Sequence, residues 1–128
     1  MKKTVIFYFS GTGNTELVAD MIQEELINCQ YSVNRVRIED VLKNNLSIDL
    51  EKYDLIGIGS PVISFGTPSI VTRFIERLPN EKNKKVFIFR TAGGVVPNNY
   101  NASKHIIHKL SQKGYDVFYE RIFSIGSN

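Results

Sequence analysis

A cluster of hydroxyl side chains and glycines follows the first apolar run of the chain. That run ends at Phe9 and is followed by Ser10-Gly11-Thr12-Gly13-Asn14-Thr15, and a helix-period pattern begins at Leu17. In such a strand–turn–helix, the free backbone N–H groups of the helix start and the positive end of its dipole face the turn. The glycines also let the backbone approach an anion closely. The turn is therefore predicted to bind a phosphate group.

The same residues exclude two familiar phosphate motifs. No lysine follows the glycines, so the turn lacks the G-x-x-x-x-G-K-[ST] pattern of a Walker loop. Position 16 is Glu16 instead of a third glycine, so the G-x-G-x-x-G dinucleotide spacing also fails. A cradle of neutral donors suits a phosphate monoester that is held without a metal ion.

Strand and helix patterns alternate along the rest of the chain. Apolar runs predict buried parallel strands at residues 3–9, 54–60 and 85–90, and an alternating pattern predicts an edge strand at 32–38. A last strand is predicted at residues 115–123. Helical spacing predicts helices at residues 14–28 and 102–113, and a third that starts at Thr67-Pro68 and stops at Pro79. Residues 39–52 mix periods and predict a short helix or two turns. This alternation implies an α/β fold with an open, doubly wound, five-stranded parallel sheet, for which we take the order 2-1-3-4-5 as the hypothesis.

Several side chains have predicted packing roles. The core face of the first helix is expected to comprise Leu17, Val18, Met21, Ile22 and Leu26. Cys29 is expected to be a small buried hydrophobic residue. Gly57 and Gly59, inside a predicted strand, indicate that another group packs closely against it. His105 and His108 are three residues apart on one helix, and a solvent-facing position is expected for both.

Three unusual loops follow the strands that would be neighbours in this sheet order. They are residues 10–15, 60–66 and 91–100, and ligands bind such sheets at the carboxyl ends of the strands. The second loop is apolar and contains Pro61 and Phe65, and the third contains two glycines, several asparagines and Tyr100. A phosphate cradle beside apolar and aromatic walls suits flavin mononucleotide, FMN. The alternative is that these loops are ordinary turns in which Phe65 and Tyr100 cover the core.

Two motifs carry a family resemblance that covers the whole chain. Residues 10–15 resemble the phosphate-loop signature [ST]-x-T-G-x-T of the flavodoxin-like superfamily, and residues 58–68 resemble its second flavin loop. The runs at 7–15, 91–94 and 123–128 are most similar to the N-terminal flavodoxin-like domain of bacterial and archaeal proteins that carry a C-terminal ferredoxin-type segment with two iron–sulfur clusters.

The resemblance implies a set of cofactor-binding residues. The phosphate would be bound by Ser10, Gly11, Thr12, Gly13, Asn14 and Thr15. The flavin ring would be lined by Ser60, Pro61, Val62, Ile63, Phe65 and Gly66, and by Thr91, Ala92, Gly93, Gly94 and Tyr100. No catalytic side chain and no metal ligand is implied, because the cofactor carries the redox chemistry.

The chain departs from the superfamily pattern in three ways. Many flavodoxins have a tyrosine or tryptophan near position 63, where this chain has Ile63, so ring stacking would be weaker or would move to Phe65 or Tyr100. Flavodoxins are usually strongly acidic, whereas this chain has a net charge of +3. The helix that normally follows the fifth strand is missing. One face of the sheet would then lack a cover and expose apolar surface. We therefore expect either that residues 1–128 are the N-terminal part of a longer protein, or that a partner or a second copy of the chain covers this face.

The resulting hypothesis is an electron-transfer flavoprotein domain that passes electrons to or from iron–sulfur clusters. The alternatives are an FMN-dependent quinone-type reductase and a non-flavin binding module of the same fold. A single cysteine excludes an internal disulfide or a multi-cysteine cluster and favours a reducing, cytoplasmic location. No apolar run approaches the roughly 20 residues of a membrane span. The basic residues are scattered, which argues against a nucleic-acid partner.

Overall fold

Strands and helices alternate along the chain in the computed structural model, which describes residues 1–10, 13–62, 68–93 and 103–125. The elements are β1 (Lys2–Tyr8), α1 (Asn14–Asn28), β2 (Tyr31–Arg37), α2 (Ile38–Lys43), β3 (Leu55–Pro61), α3 (Ser69–Glu76), β4 (Lys84–Gly93), α4 (Lys104–Gln112) and β5 (Tyr115–Ile125).

The strands form one parallel sheet. Its order is β2-β1-β3-β4-β5, which confirms the hypothesised order, and its parallel pairing confirms what the alternation of strands and helices predicted. The middle strands are buried on both faces, which explains their near-continuous apolar sequences. β2 lies at an edge and alternates between half-buried and exposed positions, as expected of an edge strand.

The two faces of the sheet are covered unequally. On one face, residues such as Phe7 and Ile88 pack against Ile38 of α2, Phe74 of α3 and Leu110 of α4. On the other face the buried cluster of Ile6, Tyr8, Phe87 and Phe89 includes Val18 and Ala19 of α1. Among the described residues no helix follows β5, so α1 is the helix that covers this second face.

The buried stripe of α1 differs from the one predicted. Its buried residues are Thr15, Val18 and Ala19, whereas Leu17 and Met21 are more than half exposed. The helical period correctly places Val18 on the core face, but it cannot show how far the helix is rotated about its axis. The prediction for Leu17 and Met21 was therefore wrong, and that for Cys29 was also wrong, since its side chain is exposed.

The glycines of β3 make room for aromatic rings. A Cβ atom on Gly57 would overlap the Phe87 ring, and one on Gly59 would overlap the Phe89 ring. The predicted close approach to this strand is therefore confirmed, and the approaching groups are side chains of the neighbouring strand β4.

The ends of three strands extend further than predicted. Pro61 pairs with Thr91, and Gly93 pairs with Ile125, so Ser60, Pro61 and residues 91–93 belong to the sheet instead of to loops. The ladder continues there because neighbouring strands offer partners that local sequence does not show.

The predicted helices between the strands are present, and some of their first residues differ slightly from the prediction. The short helix expected within residues 39–52 is α2, which starts one residue earlier. Pro68 is the cap residue before α3 and not its first helical residue. His105 and His108 are both exposed on α4, as expected.

In the described part of the chain, no helix is long and apolar enough to cross a membrane.

Candidate functional site

The carboxyl ends of β1, β3 and β4 lie side by side at one edge of the sheet. Phe9 donates its backbone N–H to the carbonyl of Gly59 at 3.0 Å, and Val62 donates to the carbonyl of Thr91 at 2.8 Å. Ser10, residues 60–62 and residues 91–93 are therefore brought together. The predicted convergence of the three segments is confirmed for their described residues.

The turn after β1 directs backbone donors at one point. Ser10 Oγ accepts hydrogen bonds from the backbone N–H groups of Gly13 at 2.9 Å and Glu16 at 3.3 Å. Gly13 has a φ of 93°, a conformation that strongly favours glycine. A hydroxyl oxygen thus lies where two N–H groups at the start of α1 converge, which is the donor arrangement that a phosphate oxygen requires.

A buried hydrogen bond connects the first and third segments. Thr15 Oγ1 and Thr91 Oγ1 are 2.8 Å apart, and either hydroxyl can be the donor. Both side chains are almost completely buried. The sequence predicted a separate role for each threonine but not this contact, whose partners are 76 positions apart. The only sequence signal was a small hydroxyl residue in the first turn of α1 and another near the end of β4.

The end of β3 presents its backbone to the site. Ser60 is buried and donates its hydroxyl to the carbonyl of Pro61 at 3.3 Å, and Pro61 and Val62 are half-buried. Because Val62 N–H bonds to Thr91, the ends of β3 and β4 form one continuous surface. This surface can line the side of a flat ring.

The predicted aromatic wall cannot be placed. Ile63, Phe65, Gly66 and Tyr100 lie outside the described residues, and so do Gly11, Thr12 and Gly94. Their assignment to a ligand remains a prediction.

A carboxylate beside the phosphate turn has a cationic partner. Glu16 Oε2 accepts a hydrogen bond from Tyr8 at 3.4 Å and lies 3.8 Å from Arg35 Nη2. The Arg35 guanidinium also stacks over the Tyr8 ring, with its central carbon 4.9 Å from the ring centre. Arg35 also bonds Asp20 through Nη1, so it offsets part of the negative charge that Glu16 places near a bound anion.

The sequence reading missed Arg90, a fully buried arginine at the end of β4. Its Nη1 donates a hydrogen bond to Ser103 Oγ at 2.7 Å. Burial lowers the pKa of Arg90, while the negative charge of Glu120 on β5 acts in the opposite direction. A buried cation therefore lies next in sequence to Thr91.

A groove opens on the face that α1 only partly covers. It has a volume of about 450 Å³, and its lining includes Met21 of α1, Phe87 and Phe89 of β4, and Phe118 and Tyr119 of β5. Phe118 is 54% exposed and Tyr119 52% exposed. The apolar surface expected on one sheet face is therefore present. None of the described residues that line it belongs to the phosphate turn.

Comparison with protein families and with curated proteins gives a consistent match. A family model described as flavodoxin domain matches residues 5–117. An uncharacterized protein of Methanocaldococcus jannaschii is 30% identical over 120 residues, which cover 94% of this chain and 73% of that protein. The chain is also similar to a flavodoxin of Megasphaera elsdenii, with 36% identity over 91 residues that cover 69% of this chain and 64% of the flavodoxin. The match therefore spans less than two thirds of that relative.

Solved structures agree with these matches. The two-electron reduced flavodoxin of Megasphaera elsdenii superposes with a TM-score of 0.74 and 29% identity, covering 93% of this chain and 84% of that one. Oxidised flavodoxin 1 from Bacillus cereus has a TM-score of 0.76 and 24% identity, covering 99% of this chain and 87% of that one. The second similarity is evidence for the fold alone.

Proposed function

The chain belongs to the flavodoxin domain family, and we propose that it is an electron-transfer flavoprotein that carries electrons on bound FMN. Flavodoxin homologues bind FMN. The observation that carries the proposal for this chain is the turn in which the Gly13 and Glu16 N–H groups converge on Ser10 Oγ. The site residues fit the cofactor, because these neutral donors suit a phosphate monoester beside strand ends that can line a flat ring.

Each described segment has a role toward the cofactor. The hydroxyl hydrogen of Ser10, whose oxygen accepts from the Gly13 and Glu16 N–H groups, would donate to the phosphate at the positive end of α1. Residues 60–62 would exclude water from one side of the flavin ring, and the backbone of residues 91–93 would face its polar edge. FMN supplies the electron-carrying chemistry when bound, so the protein needs only to bind it, orient it and set its electrostatic environment.

Binding of FMN is the first expected result. The purified chain, freed of any flavin and titrated with FMN, should quench flavin fluorescence with a one-to-one end point. The variant Ser10→Ala should bind about 5–30-fold more weakly, because one or two hydrogen bonds to a charged group contribute roughly 1–2 kcal/mol. Ser32→Ala, at an exposed position of β2, is the matched control. Failure of the unmodified chain to bind FMN would overturn the proposed function.

We further propose that the electrons pass to or from a ferredoxin-type iron–sulfur domain, in the same polypeptide or in a separate protein. The resemblance to domains that precede such segments supports this, and so does the net charge of +3, which distinguishes the chain from strongly acidic flavodoxins. A single free cysteine means that the clusters must lie outside residues 1–128, and it suits a reducing, cytoplasmic location, which we also propose.

The same FMN-loaded protein tests this partner. Mixing it with a reduced two-cluster ferredoxin should bleach the flavin absorbance at a rate that depends on ferredoxin concentration. If the flavin is not reduced by ferredoxin, but is reduced by a reduced nicotinamide nucleotide and reoxidised by a quinone, the chain is instead a quinone-type reductase.

We also propose that a second copy of the chain covers the apolar groove. The groove is flanked by Glu25 on the α1 side and by Arg121 on the β5 side. In a two-fold dimer, the acidic side of each copy would face the basic side of the other, as an isologous interface requires. Burial of Phe118 and Tyr119 would supply the apolar centre of such an interface.

The association state should respond to a charge in the groove. We expect the unmodified chain to sediment as a dimer at about 100 µM, which corresponds to a free energy of association above roughly 5 kcal/mol. Phe118→Asp should sediment as a monomer, because the dimer would bury an unpaired carboxylate. His108→Asp, on the opposite face, should leave the dimer intact. A monomeric unmodified chain would contradict this proposal.

A further inference from the structure

The guanidinium of Arg90 lies at the carboxyl edge of the sheet. Arg90 precedes Thr91 in β4, and its hydrogen-bond partner Ser103 immediately precedes α4. In a parallel sheet the helix between two strands starts at the carboxyl edge and runs back across the face. The 2.7 Å bond to Ser103 therefore places the positive charge at the edge where the flavin is proposed to bind.

The counter-charge of Arg90 lies further from this edge. Glu120 of β5 is in register with Ile88, whereas Arg90 is in register with Ile122. With a rise of about 3.3 Å per residue, the backbone of Glu120 is about 6.6 Å further from the carboxyl edge than that of Arg90. Along the strands, the backbone of the positive residue is therefore nearer to the proposed flavin than the backbone of the negative residue.

Burying the positive charge of Arg90 at this position costs free energy. Arg90 is fully buried, and removing a cation from water is unfavourable. It also contacts the residue before the start of α4, where the helix dipole is positive and disfavours a cation.

We propose that Arg90, oriented against Glu120, raises the reduction potential of flavin bound at this edge. The inference rests on the proposed function. Reduction by two electrons and one proton, supplied by a chemical reductant in the test and by an iron–sulfur donor in the proposed function, leaves the flavin ring with one more negative charge. A cation in a region of low dielectric stabilises that added charge without touching the ring.

Removal of each charge should shift the potential in opposite directions. In reductive titrations against a reference dye, Arg90→Met should lower the preference for reduced over oxidised FMN about tenfold, which is a shift of about 30 mV to lower potential for a two-electron couple. Glu120→Gln should shift the potential upward. Arg90→Lys, which keeps the charge, should stay within about twofold of the unmodified protein. The thermal unfolding midpoints of the flavin-free variants show separately whether each substitution changes the stability of the fold.

A purely structural role for Arg90 predicts a different pattern. Arg90→Met and Glu120→Gln would then both lower the thermal midpoint and shift the potential in the same direction or not at all, and either result would overturn the inference. If Arg90→Met does not fold, Arg90→Met/Glu120→Gln is compared with Glu120→Gln. These two differ only at position 90, and the double variant must have the lower potential. If the unmodified chain binds no FMN, the proposed function fails as well, whereas binding without opposite shifts contradicts this inference alone.

Discussion

Replacing Gly59 with alanine should lower the free energy of unfolding by about 1–2 kcal/mol. An alanine in a strand interior is ordinarily more stable than glycine by roughly 0.5–1 kcal/mol, so the expected change has the opposite sign to the intrinsic preference. The reason is that the new Cβ atom would overlap the ring of Phe89, which is itself 1% exposed and tightly packed. Forcing extra volume into a packed interior typically costs about 1–3 kcal/mol.

A second substitution separates this overlap from other effects. Phe89→Leu alone should cost up to about 1.5 kcal/mol, because it removes part of a buried side chain. Combined with Gly59→Ala, it should recover at least 1 kcal/mol of the summed losses, since the smaller side chain leaves space for the methyl group. Urea unfolding of the flavin-free proteins measures the free energy of unfolding of the original chain, of each single variant and of the double variant. Additive losses would show that Gly59 is needed for another reason.

The same variant should weaken cofactor binding. Gly59 immediately precedes Ser60, and its carbonyl accepts the N–H of Phe9 at the start of the phosphate turn. A displaced β3 backbone would therefore disturb two of the three segments that meet at the site. We expect FMN affinity to fall several-fold in Gly59→Ala and to return toward its original value in the double variant.

Removing one hydroxyl of the Thr15–Thr91 pair is the second expected large effect. Thr91→Val should cost about 1–3 kcal/mol in the free energy of unfolding, because Thr15 would keep a buried hydroxyl without this partner. Thr15→Val should cost a similar amount for the reciprocal reason. Thr15→Val/Thr91→Val should be much closer to the original stability than the sum of the two, because replacing both partners with apolar groups of similar shape leaves neither unsatisfied.

This set of variants also separates two roles for Thr15. The sequence assigns its hydroxyl to the FMN phosphate, whereas the structure shows it bonded to Thr91. If the double variant folds and binds FMN as tightly as the original chain, the hydroxyl acts by connecting α1 to β4. A loss of affinity of tenfold or more in a stably folded double variant would support direct contact with the phosphate. Single variants that each cost less than about 0.5 kcal/mol would show that the bond contributes little to stability.

Most of the architecture could be predicted from local patterns. Strand periods, helix periods and turn residues are encoded over a few positions, and the alternation of the two kinds of element leaves few topologies for a parallel sheet. The parallel sheet followed from this reasoning, whereas its order, and with it the convergence of the strand ends, was a hypothesis in keeping with the family resemblance that the structure confirms. The cradle around Ser10 and Gly13 was also predictable, because its donors and its positive φ belong to one short run of chain.

The sequence by itself therefore determined the element order, the family resemblance and the position of the phosphate turn, all of which depend on neighbouring residues. The tertiary structure alone decided which way α1 is rotated, that Cys29 is exposed, that Thr15 bonds to Thr91, and that Arg90 is a buried cation at the carboxyl edge. These features depend on contacts between residues far apart in the chain. Local periodicity and composition carry no information about such contacts, so they emerge only when the elements are packed together.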